Sequence, residues 1–316
     1  MADNNKGSSR AGHAKGLSEE HLFIGVDGGG SGCRARIADS GGVILGRGEA
    51  GPAALRFGIG QAMNSVKSAC RAAAADAGLP QRALRRMDAV VGLAGVGRKG
   101  LLGALGNRPH PFRSVHYVND ATIACLGAHR GRDGGVVIVG TGSVGLAIID
   151  DREIRIGGYG FPISDEGSGA ALGLGALRVA LKAHDGRTEG AQLAIEVMKR
   201  FRDDPLEIIA RMDDASATDY ASFAPLVLDL AEKGDPAALA IVREAAHEID
   251  GLAARLFQCG APRVALLGGL APRIKPFLAQ KIQNRLVPSS GDAVDGALLL
   301  ARAMLGKDVT KAKAPI

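Results

Sequence analysis

Apolar and polar positions first organise themselves in the stretch 22–48. Residues 22–27 (LFIGVD) are a short apolar run that fits a buried strand, and GGGSG follows as a turn. Residues 33–39 (CRARIAD) alternate, with Cys33, Ala35 and Ile37 on one face and Arg34 and Arg36 on the other. A second turn, SGG, leads into a third strand at 43–48 (VILGRG). The same order returns at 134–158: strand VVIVG, turn TGS, strand VGLAII, turn DD, strand REIRIGG. Two copies of an antiparallel meander, each followed by helical stretches, predict two related lobes with a cleft between them.

Helical patterns fill much of the remainder. The Ala-rich stretch 60–77 is stopped by Gly78 and Pro80, and Asp120 opens a helix running through His129. Further helices are expected near 167–184, 189–201, 219–232, 236–258, 273–286 and 293–305. Strands at 89–95, 114–119 and 263–269 lie between them, and this alternation predicts α/β lobes. The expected division is a solvated tail at 1–20, an N-terminal lobe at 21–118 completed by helix 293–305, a C-terminal lobe at 119–292, and a tail at 306–316.

Composition narrows the class. The chain has 46 Gly and is 46% hydrophobic, which fits a packed α/β protein with many tight turns and excludes wholesale disorder. No apolar run approaches the ~20 residues that span a bilayer, and the first twenty residues lack the apolar core of a signal peptide. Cys33, Cys70, Cys125 and Cys259 form no CxxC pair, so neither a zinc site nor a disulfide framework is indicated, and a cytoplasmic location is the expectation. The net charge of +6 lies partly in Lys307, Lys311 and Lys313, without a basic stripe interleaved with aromatics; no nucleic-acid partner and no membrane partner are expected. The sequence allows a homodimer without requiring one.

Candidate chemistry sits at the glycine turns. Gly30 to Ala35 fits the G-x-G-x-x-A pattern, but a dinucleotide fingerprint must open a helix, and here the following residues alternate as a strand. The remaining function for such a hairpin is a concave nest of backbone N–H groups that receives phosphate oxygens. An ordinary turn is the plain alternative; two such hairpins at matching places in two repeats favour a phosphate clamp. Asp27 ends the first strand and is either a turn-stabilising residue or a carboxylate that orients Mg²⁺ through water. Asp120 is either a helix cap or a base that accepts a hydroxyl proton. Asp165 and Glu166 lie in the Gly-rich stretch GGYGFPISDEGSG, as first-turn acids of a helix or as ligands.

The motifs VDGGGSG, NDA, GTGS, SDEGS, LLGGLAP and DGALLLA occur in the order used by the actin/hexokinase superfamily. Within it the chain resembles the branch with N-acetylglucosamine kinases, bacterial glucosamine kinases and the BadF/BadG/BcrA/BcrD-type ATPases, from Phe23 to about Ala303. The likeness to bacterial glucosamine kinases rests on GCRARI, ACLGAH and FPISDEGSGA. The resemblance implies a duplicated, ribonuclease H-like two-lobe α/β fold and an ATP- and Mg²⁺-dependent kinase of an amino sugar. It implies ATP contacts at Asp27, Gly28, Gly29, Gly30, Ser31, Gly140, Thr141, Gly142, Gly234, Gly268 and Gly269. It implies sugar contacts at Asn119, Asp120, Ser143, Gly158, Tyr159, Gly160, Asp165 and Glu166, with Asp120 as catalytic base and Asp27 beside the metal. Asp295-Gly296-Ala297 matches the second connection between the lobes.

The chain departs from the N-acetylglucosamine kinases at Ala54 and Val144, where those enzymes carry Asn, and at Tyr159, where a Trp is familiar. Glucosamine, phosphorylated at O6, is therefore the expected substrate, with N-acetylglucosamine the alternative. A rival of another class is an ATPase that activates a partner reductase through a shared iron–sulfur cluster, which needs clustered thiolates. A sugar-sensing regulator would need a helix-turn-helix module, for which the residues before the first strand are too few.

Overall fold

The computed structural model describes residues 21–98 and 100–305; the tails expected at 1–20 and 306–316 lie outside the described residues. The chain divides into two compact units, one running to Arg132 and resuming at Ser290, the other spanning Asp133–Ser289.

In the first unit β1 (Leu22–Gly28), β2 (Cys33–Ala38), β3 (Ile44–Ala50), β4 (Met87–Leu93) and β5 (Ser114–Asn119) form one sheet in the order β3-β2-β1-β4-β5. The first three are an antiparallel meander, whereas β1, β4 and β5 run parallel. Asp27 pairs with Gly92 and Leu93 with Asn119, so the C-terminal ends of the three parallel strands lie side by side. The two-residue period sorts the side chains. Leu22, Ile24 and Val26 join a core with Val66, Ala69 and Ala73 of α1 (Ile59–Asp76). Phe23 and Val90 face the other way, onto Ile123 of α3 (Asp120–His129) and Ala297, Leu298 and Ala301 of α12 (Ala293–Ala303). The expected alternation of β2 holds: Cys33, Ala35 and Ile37 are buried and Arg34 is exposed. A short helix α2 (Leu101–Gly106) connects β4 to β5.

The second unit repeats this plan. Strands β6 (Gly134–Val139), β7 (Ser143–Ile149) and β8 (Arg152–Ile156) form the meander, and β9 (Val264–Leu267) adds parallel to β6, giving the order β8-β7-β6-β9. Where the first sheet has its fifth strand, the second has only a single parallel bridge from Val264 to Leu286. Its core is built by α4 (Gly169–His184), α5 (Gln192–Arg200), α8 (Ala224–Glu232) and α9 (Pro236–Gln258) around Val137, Val139 and Ala147.

Three differences from the sequence expectation have local causes. The stretch 219–232 is two helices, α7 (Ala217–Ala221) and α8, because Pro225 lacks an N–H and its ring crowds the carbonyl four residues back. The stretch 273–286 is broken into α10 (Ala271–Ile274), a 3₁₀ turn at Lys275–Phe277 and α11 (Gln280–Gln283); Pro276 interrupts it, and the Ala279 N–H goes instead to Asp250 Oδ2 at 2.8 Å. Helix α6 (Pro205–Met212) was not foreseen, although Asp204 caps it and Pro205 opens it. The division between units also falls at Arg132/Asp133, whereas the sequence placed it at 118/119. Helix α3 stays with the first unit because Ile123 is fully buried against Phe23 and Val90.

Helices α3 and α12 cross at two glycines. A Cβ on Gly127 would lie 1.8 Å from the Asp292 carbonyl oxygen, and one on Gly296 would lie 1.9 Å from that of Ile123. Both obstacles are backbone, so a side chain there forces the helices apart. In an open helix, by contrast, Gly→Ala stabilises by about 0.5–1 kcal/mol. A Cβ on Gly251, in α9, meets nothing within 4 Å. The prediction is a reversal of sign: Gly296→Ala lowers stability by about 1–3 kcal/mol and Gly251→Ala raises or preserves it. Urea unfolding of both variants checks this; a Gly296→Ala protein as stable as the parent would refute the close crossing.

Candidate functional site

In the first unit the candidate residues gather at the C-terminal ends of the parallel strands. Asp27 and Gly28 end β1, Gly29–Gly32 form the turn, Asn119 ends β5, and Asp120 is the first residue of α3. Open α/β sheets bind ligands at this edge, because helix N-termini and strand-end N–H groups converge there. The turn is closed by a bond from Gly29 N–H to the Gly32 carbonyl (2.9 Å), and is held by Ala53 N–H donating to the Gly29 carbonyl (3.0 Å) and Ala94 N–H to that of Gly28 (3.0 Å). The N–H groups of Gly30, Ser31 and Gly32 have no protein acceptor among the described residues. N–H groups left open at a strand end in this way can donate to water or to an anion.

The helix cap is Asn119, whose side-chain oxygen accepts from Ala121 N–H at 2.9 Å; Asp120 Oδ1 accepts from the same N–H at 3.0 Å. The capping role that the sequence left open for Asp120 thus belongs to its neighbour. Asp120 lies next to β4, its Cα 3.5 Å from where a Cβ on Gly92 would stand.

Asp27 is not alone. Its Oδ2 accepts from Arg34 Nη2 at 2.7 Å, and Arg36 grips Asp292 with both terminal nitrogens, at 2.7 and 2.6 Å. Burial by itself would raise the Asp292 carboxyl, but the bonds from Arg36 and from the Asp295 N–H hold it below the usual carboxylate range. Arg34, Arg36 and Asp292 were absent from the sequence-based site. The signal existed, because Arg34 and Arg36 share one face of β2, but Asp292 is 258 and 256 residues away from them in the chain. Magnesium fits Asp27 in one way. It is usually held by one or two carboxylates plus phosphate oxygens and keeps several waters. Among the described residues no group of three or more His, Cys, Asp or Glu stands ready to hold a metal ion, so the nucleotide's phosphates would have to supply most of the ligands.

In the second unit another group of candidates is wired together. Gly140 N–H donates to the Gly142 carbonyl (2.9 Å), and Gly169 N–H donates to the Gly140 carbonyl (2.8 Å). Leu270 N–H, just past Gly268 and Gly269, reaches the carbonyl of Val139 (3.1 Å), the residue before the turn. Gly268 is pressed against that same Val139, 2.2 Å from its carbonyl oxygen to a Cβ position, and has φ +99°. The N–H groups of Thr141 and Gly142 have no protein acceptor among the described residues. A Cβ on Gly140 would meet nothing within 4 Å, whereas one on Gly142 would lie 2.4 Å from Asp165 Oδ2. Gly142 was expected to make room for phosphate; in the structure the space beside it holds the Asp165 carboxylate.

The loop 157–168 carries Gly158, Tyr159, Gly160, Asp165 and Glu166. Asp165 Oδ1 accepts from Gly160 N–H at 3.1 Å. Burial pushes its carboxyl above the ordinary range, the Gly160 and Phe161 N–H groups oppose this, and the neighbouring Glu166 charge adds to it. Ser143 is buried and donates its hydroxyl hydrogen to the Glu166 carbonyl at 2.5 Å, so it fastens the loop. Gly158 packs on Val144, leaving 2.6 Å between a Cβ position and Cγ2. Tyr159 is 80% exposed and lies under the Arg155 guanidinium, 5.6 Å from it, a surface available to a ligand. Gly234 is not tied to this cluster by any hydrogen bond among the described residues. It ends α8 at φ +88°, with its N–H on the Ala231 carbonyl, which is a helix-terminating role.

Of the thiols, Cys33 directly follows the first glycine turn. Cys33, Cys70 and Cys125 are buried. Burial, with some help from the Asp27 charge, pushes Cys33 up to about 12, and burial also raises Cys70. Thiols buried in a core are not open to a cluster shared with a partner. Among the described residues no helix is long and apolar enough to cross a membrane.

The BadF/BadG/BcrA/BcrD ATPase family model matches residues 24–301. The chain is 37% identical to the glucosamine kinase GspK of Vibrio cholerae serotype O1 over 281 residues, 89% of this chain and 96% of that protein. A solved structure from Chromobacterium violaceum, provisionally described as an N-acetylglucosamine kinase, is 36% identical, with a TM-score of 0.83 over 89% of this chain and 99% of that one. A ROK family glucokinase from Streptomyces griseus, solved with glucose and AMPPNP, shares the fold at 20% identity and a TM-score of 0.53, over 89% of this chain and 99% of that one. The duplicated α/β fold expected from the resemblance holds. With the match running from the first strand to the last helix, the chain belongs to the BadF/BadG/BcrA/BcrD ATPase family.

Proposed function

We propose that this chain phosphorylates glucosamine at O6, taking the phosphoryl group from ATP with Asp120 as the base. The kinase class and the use of ATP rest on the family and on the full-length relationship to a glucosamine kinase. The observation that carries the assignment of roles is the edge at which β1, β4 and β5 end together. A glycine turn with unpaired N–H groups and the Asp120 carboxylate stand there, on strands that both pair with β4.

The roles follow from the charges involved. The transition state of phosphoryl transfer is loose, so positioning and neutralisation matter more than covalent chemistry. In the first unit the N–H groups of Gly30–Gly32 receive phosphate oxygens, and in the second those of Thr141 and Gly142 do. Asp120 accepts the O6 proton. O6 forms its bond to the γ-phosphorus while the bond from that phosphorus to the bridging oxygen breaks, and ADP leaves with that electron pair. Magnesium, when bound beside Asp27, neutralises phosphate charge. Asp165 and Glu166 present the acidic surface that suits a protonated amine.

Asp120→Asn is expected to fold and to bind ATP while losing turnover by roughly 10²–10⁴-fold. Steady-state phosphorylation measured beside nucleotide binding checks this, and wild-type turnover would remove Asp120 from the chemistry. The phosphate turns are probed at Gly140, where a side chain meets no protein atom, rather than at Gly142, where it strikes Asp165. Gly140→Val should keep its secondary structure and weaken ATP by about tenfold or more, with sugar affinity little changed. Unaltered ATP binding in calorimetry would exclude the second turn from the nucleotide site.

Substrate choice follows from Ala54 and Val144. Ala54 is 3% exposed and Val144 packs on Gly158, and neither offers a side-chain hydrogen bond to an acetamido group. An unmatched buried polar group costs about 1–3 kcal/mol, roughly 5- to 150-fold in preference. Glucosamine should therefore exceed N-acetylglucosamine in kcat/KM by that order. Kinetics on both sugars decide the point: an equal or higher value for the acetylated sugar reverses the substrate and leaves the kinase in place.

A further inference from the structure

We infer that Arg56 is a phosphate-contacting residue of this kinase, supplying a positive charge to the terminal phosphate received by the Gly29–Gly32 turn; this rests on the reading just given. Arg56 lies in the 3₁₀ turn Leu55–Phe57, outside every motif singled out in the sequence. Its guanidinium is laid against the glycine turn: Nη2 is 2.8 Å, and Cζ 3.6 Å, from where a Cβ on Gly30 would stand. Gly30 is thus bare on the side where this cation sits, and any side chain there would displace it.

The arginine is held in place from several sides. Ala53 N–H donates to the Gly29 carbonyl at 3.0 Å, Leu55 N–H donates to the Ala94 carbonyl at 3.0 Å, and the Leu55 side chain is buried. These bonds fasten the 3₁₀ turn both to the glycine turn and to the end of β4. The guanidinium also lies over the Phe57 ring, 4.8 Å from its centroid. Among the described residues Arg56 makes no ion pair, although Arg34 and Arg36 of the same unit are both paired with carboxylates. An exposed, pre-oriented guanidinium with no acid partner, beside N–H groups with no acceptor, is a surface matched to phosphate. Arginine also binds phosphate oxygens in a two-pronged geometry that a backbone nest cannot supply.

A charge acting on the terminal phosphate should distinguish ATP from ADP. Calorimetric titration of both nucleotides is compared for the wild type, Arg56→Met and Arg56→Lys, with circular dichroism as the check on folding. Arg56→Met is expected to weaken ATP by about 10- to 100-fold, to weaken ADP by less than threefold, and to lower kcat for sugar phosphorylation by about 10²-fold. Arg56→Lys should recover part of each loss. Equal losses for the two nucleotides, or none, overturn the inference. The nucleotide comparison does not depend on the sugar. Failure of the wild type to phosphorylate any sugar would therefore sink the kinase reading separately, while the ATP-to-ADP contrast would still decide the role of Arg56.

Discussion

Helix α3 lies against α12 because Gly127 and Gly296 place no side chain between their backbones. This contact fixes more than two helices. The first residue of α3 is Asp120, and the residue capping α12 is Asp292, which Arg36 holds from β2. The position of the carboxylate and the charge balance at the strand ends therefore depend on one helix crossing. The crossing in turn packs Ile123 and Leu298 on the face of the sheet formed by Phe23 and Val90. A closely packed interior does not deform continuously, so a small change at the glycines is carried to the edge where the candidate chemistry sits.

The two units build their glycine turns in the same way. A meander strand ends, a glycine turn closes on itself by one hydrogen bond, and the N–H groups inside the turn have no protein acceptor among the described residues. The two turns differ in what supports them. The first is braced by the segment carrying Ala53 and Arg56, and the second by the start of α4 and by the end of β9 through Val139. Support from the surrounding backbone allows such a turn to keep its donors unpaired, since a loose loop would fold them onto its own carbonyls. The loop 157–168 adds acids to the second turn, with Asp165 held by Gly160 and the whole loop fastened by Ser143.

Alternation of apolar residues, the repeated meander and the glycine punctuation were enough to predict strands β1, β2, β5, β6 and β7, helices α3 and α9, and the duplicated plan, because those signals are local. The six ordered motifs likewise placed the glycine turns, Asp27, Asp120 and the 157–168 loop. Boundaries blurred where prolines compete with helical periodicity, at Pro225 and Pro276. The ion pairs of Arg34 and Arg36 with Asp292, the packing of Asp165 against Gly142, and the seating of Arg56 on Gly30 join positions far apart in the chain or on separate loops. A sequence states which groups exist and how they repeat along the backbone. Which of them meet is set by strand order and helix crossing, and only the folded chain, with its excluded volume and its paired charges, decides that.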